Sequence, residues 1–426
     1  MSPSPQDSPA RPGGGRFDPI ATPWFFPLLV LALLLSFRIL APGIAERQEL
    51  AWFDLALSAR AKLGFAEPLD PSIRFVELSV NDEIARRYAT DGEYATVAGI
   101  LRTLAALDVR VIAVDIIYAH GREEDQNLLA EAIREIHDTT RTTVVLSASK
   151  EMQATPPHLL RSLPRADYQS FVQGIVNVTA DRHWREYRLV HEFDGETIPS
   201  LALAAYGASR ASALAPKVVG DGAMAWKVRT LDGKTVDVHA DGSRLFLNLQ
   251  HSYYDDTHDK ALENFSGRVF TIEQIEAVAR DLAGNSPIRD TIVFLGYDAD
   301  IDGKATTYGP MQPGMLLHGT ALNDLMHGNA IRQAPLHLDV LVHLFVALCA
   351  AIAFTKIRSK RMLVVVAVTG ACVILLFGWL TIWSSAILLL PAAVSAAELW
   401  GISVVLETGR RWGFEQRERT QRDAML

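Results

Sequence analysis

The sequence predicts an α/β extracytoplasmic domain with a mixed, largely parallel sheet, held at a membrane by four transmembrane helices. Three observations lead to this fold class. Apolar runs of membrane-spanning length lie near the start and at the end of the chain, and the long region between them has the composition of a globular protein. Basic residues are distributed unevenly among the loops that join the apolar runs. In the polar region, strand and helix patterns alternate.

The composition of the 426 residues excludes some classes of protein. The formal net charge is -8 and no basic stripe supplies phosphate contacts, so the sequence does not indicate a nucleic-acid partner. The only two cysteines, Cys349 and Cys372, lie in apolar runs, so the polar region contains no disulfide. The stability of that region must therefore come from its core.

The apolar runs divide the chain into segments. A bilayer core needs about 20 helical residues, and four runs meet or approach this length. The predicted segments are a disordered cytoplasmic tail (1–22), transmembrane helix 1 (23–42), the polar domain (46–335), transmembrane helices 2 (337–355), 3 (362–383) and 4 (385–406), and a short cytoplasmic tail (407–426). The first run has two alternatives, a cleaved signal peptide and a core helix. Its length and the long preceding segment favour an uncleaved anchor.

The basic residues predict the orientation of the spans. Residues 355–361, between the second and third spans, contain four Lys or Arg residues, and the turn between the third and fourth spans contains none. Five arginines follow the fourth span: Arg410, Arg411, Arg417, Arg419 and Arg422. Because cytoplasmic loops carry the excess of Lys and Arg, that loop and that tail are placed inside. Residues 46–335 are then outside the cytoplasmic membrane.

The polar region begins with a strand–helix–strand–helix–strand pattern. The predicted elements are a strand at 73–78, a helix at 94–107, a strand at 109–117, a helix at 123–136 and a strand at 142–147. The nearly continuous apolar run at 109–117 is typical of a parallel strand covered on both faces. Further strands are predicted at 174–179, 187–193, 245–249 and 290–296, helices at 200–209 and 318–327, and a hairpin within 223–239.

Asp115 is the first candidate ligand-binding residue. It stands at the carboxyl end of an otherwise apolar strand, where ligands gather in open α/β sheets. The alternative is an acid that accepts hydrogen bonds from the backbone of the following loop.

Three aspartates form a candidate calcium loop. Asp298, Asp300 and Asp302 alternate and are followed by Gly303, as in the first six positions of an EF-hand loop. The twelfth position, where a bidentate acid is expected, is Gly309. The alternative is a solvated acidic turn, with Asp302 remaining a candidate ligand-binding residue. Calcium is the only cofactor that the sequence suggests.

A second group of candidates lies near the end of the polar region. Tyr308, His318 and Asn323 are predicted to line a pocket, or else to secure the turn at Pro313 and Gly314. The sequence contains no Walker loop, nucleophile elbow, GxGxxG or HExxH motif. We therefore expect a protein that is not an enzyme.

Several of these segments resemble one known family. Residues 308–325 resemble the pattern TP-x-G-x-x-PG-V-x-x-HA-x-x-x-x-x-LL of the CHASE2 sensor domain of bacterial membrane receptors. Residues 111–118 resemble the VIAFD-x-x-F strand of that family, and shorter likenesses lie at 174–178, 199–203 and 292–296. One departure is at Asp91, Gly92, Glu93 and Tyr94, where the family often has Trp-Pro-Trp-Pro-Arg.

The resemblance implies a function. CHASE2 receptors have one N-terminal and three C-terminal transmembrane helices, and they act in signal transduction as multi-pass proteins of the bacterial inner membrane. It also implies a homodimer. The sequence ends about twenty residues after the last span, so either it is truncated or the sensor acts through another protein. We expect a sensor of an unidentified extracytoplasmic signal that acts through a separate cytoplasmic or envelope protein. The alternatives are a non-switching envelope scaffold and an envelope hydrolase that uses Asp115 and Asp302.

Overall fold

The computed structural model describes most of the chain, and its described residues fall into two compact units. The α/β unit comprises Phe53–Gln333 with Thr381–Leu388, and the helical unit comprises Met1–Trp52, Ala334–Leu380 and Leu389–Leu426. The described residues are 24–40, 51, 53–60, 63, 69–79, 82–117, 121–151, 158–161, 171–176, 186–193, 196–210, 218–220, 225–229, 235–239, 244–247, 267–281, 286–306, 309–327, 332–333, 336–385, 387–388 and 390–425.

The elements follow one another along both units. The helices are α1 (Phe25–Leu40), α2 (Asp82–Asp91), α3 (Glu93–Ala106), α4 (Glu123–Thr139), α5 (Leu201–Ser209), α6 (Ile272–Asp281), α7 (Ala299–Asp302), α8 (Gly314–His327), α9 (Leu336–Lys356), α10 (Lys360–Ser385) and α11 (Leu390–Met425). The strands are β1 (Ile73–Leu78), β2 (Val111–Asp115), β3 (Thr143–Glu151), β4 (His158–Arg161), β5 (Val172–Ile175), β6 (Glu186–Arg188), β7 (Val190–Phe193), β8 (Glu196–Pro199), β9 (Val218–Gly220), β10 (Ala225–Arg229), β11 (Thr235–His239), β12 (Arg244–Phe246), β13 (Val269–Thr271), β14 (Ile292–Tyr297), β15 (Gly303–Thr306), β16 (Gly309–Pro313), β17 (Arg332–Gln333) and β18 (Ile387–Leu388).

The α/β unit is built on one mixed sheet. Its order is β13-β1-β14-β2-β3-β4, and β5 also pairs with β3. All of these pairings are parallel except that of β4 with β3. The predicted α/β class with a mixed, largely parallel sheet is therefore confirmed. Parallel pairing aligns the carboxyl ends of β1, β14 and β2, and this edge carries the candidate site.

Both faces of the sheet are buried, as the apolar strands predict. Side chains such as Ile112 and Val114 join a core that includes buried residues of α3, α4 and α6. On the opposite face, buried Phe75 and Phe294 stack with ring centroids 6.1 Å apart. Gly319 of α8 lies against that face, since a Cβ there would come within 2.5 Å of the Phe75 ring.

In the later part of the unit, one predicted strand is divided in two. The predicted strand at 187–193 is wrong as a single element, because it divides into β6 and β7 at Leu189. The two pieces take different antiparallel partners, β12 and β8. The carbonyl of Leu189 accepts a 2.7 Å bond from the Ser200 amide, outside either strand. The predicted hairpin is confirmed by antiparallel β10 and β11.

The helical unit has its own apolar core. Buried side chains of all four helices meet in it, including Val30, Val346, Leu363 and Trp400. Gly370 permits the close approach of Trp400, whose indole donates to the Ala367 carbonyl at 2.8 Å. Small residues at such contacts are typical of helices that pack in membranes.

One described helical stretch is long and apolar enough to cross a membrane, Arg361–Leu380. Phe25–Leu34 and Val340–Lys356 are shorter apolar stretches. The other helix of the unit, α11, continues through the predicted tail, and its described residues from Trp412 to Asp423 are exposed.

A buried ionic cluster joins α11 to the end of α9 within this unit. Glu407 is 2% exposed and accepts hydrogen bonds from Arg410 at 2.8 Å and Arg411 at 2.7 Å. The Arg411 guanidinium also donates to the carbonyls of Phe354 at 2.6 Å and Ile357 at 2.5 Å. Arg411 thus satisfies carbonyls at the C-terminus of α9 that have no partner inside that helix.

Candidate functional site

A cavity of about 320 Å³ lies at the carboxyl ends of the parallel strands in the α/β unit. This is the edge at which open α/β sheets bind ligands. The described residues that line the cavity combine charged and apolar side chains. They are Glu93, Asp115, Ile116, Ile117, Val176, Tyr297, Ile301, Asp302, Lys304, Gly314, Leu317 and His318.

Asp115 is placed at the cavity by the end of β2. It pairs with Gly296 of β14, where a Cβ would lie 3.3 Å from the Cβ of Asp115. The Asp115 side chain is only 7% exposed. Its Oδ1 lies 3.4 Å from His318 Nε2. In the described part of the structure its carboxylate accepts no backbone hydrogen bond, so the loop-capping alternative receives no support.

His318 connects Asp115 to a buried tyrosine. The Tyr187 hydroxyl lies 2.5 Å from His318 Nδ1 and accepts a 3.2 Å hydrogen bond from the Ala202 amide. Because the amide can only donate, the phenolic hydrogen is available to Nδ1, and the ring hydrogen of neutral His318 is then on Nε2, facing Asp115. Burial raises the pKa of Tyr187, which keeps the phenol protonated.

Asp302 forms the second acidic side of the cavity. Its carboxylate bonds the Lys304 ammonium and lies against the first residue of α8, since a Cβ on Gly314 would come within 2.0 Å of Oδ2. Burial raises the pKa of Asp302, and the negative charge of Asp115 raises it further. The Lys304 ammonium and His318 oppose this shift without cancelling it. Asp302 therefore has a greater tendency to hold a proton than an ordinary aspartate.

The rim of the cavity carries a third carboxylate. The Tyr297 hydroxyl at the end of β14 donates to Glu93 Oε1 at 3.2 Å. Glu93 begins α3 directly after Gly92, whose φ of 86° permits the chain to turn from α2 into α3. Burial raises the pKa of Tyr297, and the nearby Tyr88 and Glu93 raise it further.

The structure brings together three of the five predicted ligand-binding residues. Asp115, Asp302 and His318 all line the cavity. Tyr308 lies outside the described residues. Asn323 is absent from the described lining, and its amide oxygen accepts a 2.9 Å bond from the Asp70 amide. Asn323 thus secures a turn, although not the turn at residues 313–314 that the sequence suggested.

The candidate calcium loop contains a short helix. α7 begins directly after Asp298, whose carbonyl accepts from the Asp302 amide at 3.0 Å. Asp302 bonds Lys304, and the side chain of Asp300 lies outside the described structure. Among the described residues no group of three or more His, Cys, Asp or Glu side chains could hold a metal ion. The calcium site stays a prediction.

Sequence reasoning missed four residues that shape the site: Glu93, Tyr187, Tyr297 and Lys304. Tyr297 ends an apolar strand, the same signal that identified Asp115. Glu93 stands in the segment that departs from the family pattern, which was a second usable signal. Tyr187 and Lys304 carry no local signal, because their importance comes from His318 and Asp302.

The comparisons with known proteins agree with this architecture. No curated protein and no solved structure matches the chain. The family model of the CHASE2 domain matches residues 28–354, which is more than half of the chain. CHASE2 domains are extracytoplasmic sensor domains of membrane proteins. The chain therefore belongs to the CHASE2 domain family.

Proposed function

We propose that this chain is a multi-pass receptor of the bacterial inner membrane. Its α/β unit reads an extracytoplasmic signal, and the charged end of α11 passes the response to a separate cytoplasmic protein. The observation that carries the proposal is the CHASE2 match over residues 28–354. The cavity beside α8 supports it, since a sensor needs a place where a signal can bind.

The membrane arrangement in this proposal has one helix before the sensor unit and three after it. Its support is the apolar surface of the helical unit, where exposed side chains include Leu33 on α1, Phe345 on α9 and Phe377 on α10. Exposed apolar surface of this extent marks a membrane or a protein interface. The basic residues of the loop at 355–361 and of α11 support a cytoplasmic location for both.

Topology reporters test the orientation. An alkaline phosphatase fusion at Gly222 is expected to be active and a fusion at Leu426 inactive, because the enzyme requires export. A fluorescent reporter that matures in the cytoplasm is expected to give the reverse pattern. An exported reporter at Leu426 would overturn the proposed arrangement.

Signalling requires two arrangements of the helical unit that bind the signal with different affinity. Disulfide crosslinking between single cysteines introduced along α11 would report a change between these arrangements in native membranes. Crosslinking that stays constant under every condition that alters the downstream output would favour the non-switching scaffold. Proteins that co-purify from native membranes would identify the partner in either case.

One observation favours a second candidate function, an envelope hydrolase. Asp115 and Asp302 line the same cavity, and the raised pKa of Asp302 suits a proton donor. Chromogenic esters, phosphoesters and glycosides would test this activity. Turnover by the wild type, lost in Asp115→Ala and Asp302→Ala with an unchanged unfolding midpoint, would support it. No turnover of any of the three classes argues against it.

A further inference from the structure

The chemistry of the cavity narrows the class of signal. We infer that it binds a small organic cation with an apolar carbon skeleton and an ammonium group that bears N–H donors. The ammonium group is held by Asp115. This inference rests on the proposed function, because the inference names the kind of molecule that the sensor unit binds.

The first argument is the unused bonding capacity of Asp115. Its side chain is 7% exposed and lines the cavity. An ionised carboxylate can accept about four hydrogen bonds. In the described part of the structure Asp115 Oδ1 lies 3.4 Å from His318 Nε2, which is longer than a charge-assisted bond. A buried carboxylate without donors is unfavourable, and the cavity is where donors can reach it.

The second argument is the balance of charge around the cavity. Three carboxylates line it, those of Glu93, Asp115 and Asp302. The one lysine among the described lining residues, Lys304, bonds Asp302. The remaining field is negative, and a cleft lined by one sign of charge attracts ligands of the opposite sign.

The third argument is the apolar part of the wall. Five aliphatic side chains complete the lining: Ile116, Ile117, Val176, Ile301 and Leu317. A cavity of about 320 Å³ with such walls suits a small molecule with a carbon skeleton rather than a bare ion. Because a quaternary ammonium group has no N–H, it would leave the acceptors of Asp115 unused. The arguments together favour a primary or secondary amine.

The direct test is calorimetric titration of the full chain in detergent. The probes are butylamine, 1,4-diaminobutane, tetramethylammonium, succinate and calcium chloride. We expect both primary amines to bind with one-to-one stoichiometry and tetramethylammonium to bind at least ~10-fold more weakly, because it cannot donate to Asp115. We expect no binding of succinate. Binding of calcium or succinate but of neither amine overturns the inference.

The matched variants are Asp115→Asn and Asp281→Asn. Losing a charge-assisted hydrogen bond is expected to weaken amine binding ~10–100-fold in Asp115→Asn. Asp281 is exposed at the end of α6 and is absent from the described lining, so Asp281→Asn is expected to bind like the wild type. Equal affinity of Asp115→Asn and the wild type would contradict the inference.

Thermal unfolding of each variant shows whether it folds. If Asp115→Asn does not fold, Glu93→Gln serves as the second variant, with a smaller expected loss of affinity because Glu93 also accepts from Tyr297. Amine affinity unchanged in Glu93→Gln would then count against the inference. The titration needs no output from the receptor. If neither amine binds, the inference about the ligand is wrong. The sensor proposal is still tested independently by the crosslinking of α11.

Discussion

At the scale of single residues, the cavity brings acidic and basic side chains close together. Asp302 has a raised pKa because it is half-buried and close to Asp115. It nevertheless keeps an ion pair with Lys304. His318 is held on both ring nitrogens, by Tyr187 on one side and near Asp115 on the other. A change of charge at Asp115 therefore alters the electrostatic interaction of this residue with His318 of α8.

The raised pKa of Asp302 predicts how stability depends on pH. An acid whose pKa is higher in the folded state stabilises the fold below its unfolded value of 3.8, and this contribution is lost as the pH rises through the folded pKa. We expect the unfolding free energy of the wild type, minus that of Asp302→Asn, to fall as the pH rises from about 3.5 to 7. Denaturant-induced unfolding in detergent, repeated at each pH, measures this difference in free energy.

The control for this measurement is Asp281→Asn, which removes one exposed carboxylate that is absent from the described lining. A difference between the wild type and Asp302→Asn that is constant with pH, or that rises with pH, would show that the pKa of Asp302 is not raised.

At the scale of elements, the backbone of β5 approaches α5 closely at Gly174. A Cβ there would lie 2.5 Å from the Cα of Leu201, which is backbone and cannot rotate away. We expect Gly174→Ala to lower the unfolding free energy by about 1–3 kcal/mol, the usual cost of overpacking. Equilibrium unfolding followed by circular dichroism measures this change.

Gly99 provides the matched control. It lies on the exposed face of α3, and an added Cβ would meet nothing within 4 Å. Gly99→Ala is expected to stabilise the chain by about 0.5–1 kcal/mol, because alanine loses less backbone entropy in a helix. If both substitutions change stability equally, the close approach of β5 and α5 is not the cause.

The cluster of Glu407, Arg410 and Arg411 determines how firmly α11 is held to the end of α9. Arg411→Ala leaves the carbonyls of Phe354 and Ile357 without this donor and leaves Glu407 with one arginine fewer. We expect a loss of about 1–3 kcal/mol in the unfolding free energy in detergent.

Two further arginine variants separate the contribution of the hydrogen bonds to the unfolding free energy from the contribution of the charge. Arg411→Lys keeps the charge but lacks the fork that reaches several acceptors, so an intermediate loss is expected. Arg417→Ala removes an exposed arginine from the same helix and is expected to change stability by less than about 0.5 kcal/mol. Equal losses from Arg411→Ala and Arg417→Ala would mean that the cluster contributes no stability.

Sequence patterns identified the elements that depend on local hydrophobicity. The apolar runs at 73–78 and 109–117 predicted the parallel strands β1 and β2, and the position of Asp115 at a strand end predicted a site residue. α2 was missed because it is strongly polar; its Arg87 pairs with Glu276, 189 residues away. Tyr187 was missed as a site residue because its partner His318 is also distant in sequence, 131 residues away. Such contacts exist only after the chain has folded.

At the scale of the whole molecule, the chain passes directly from the α/β unit to the helical unit. In sequence, α8 carries His318 and ends at His327, and α9 begins at Leu336. α9 is bonded through Phe354 and Ile357 to Arg411 of α11. We expect occupancy of the cavity to change the arrangement of α9 and α11.

The most direct test is the distance between spin labels at Lys356→Cys and Arg417→Cys, in a background where Cys349 and Cys372 are replaced by alanine. Both labelled positions are exposed. Pulsed electron paramagnetic resonance in lipid nanodiscs would record the distribution of distances between the two labels with and without saturating butylamine. We expect butylamine to shift the distance distribution in the wild type and to leave it unchanged in Asp115→Asn. A wild-type distribution that stays the same while calorimetry shows the amine bound would contradict this expectation.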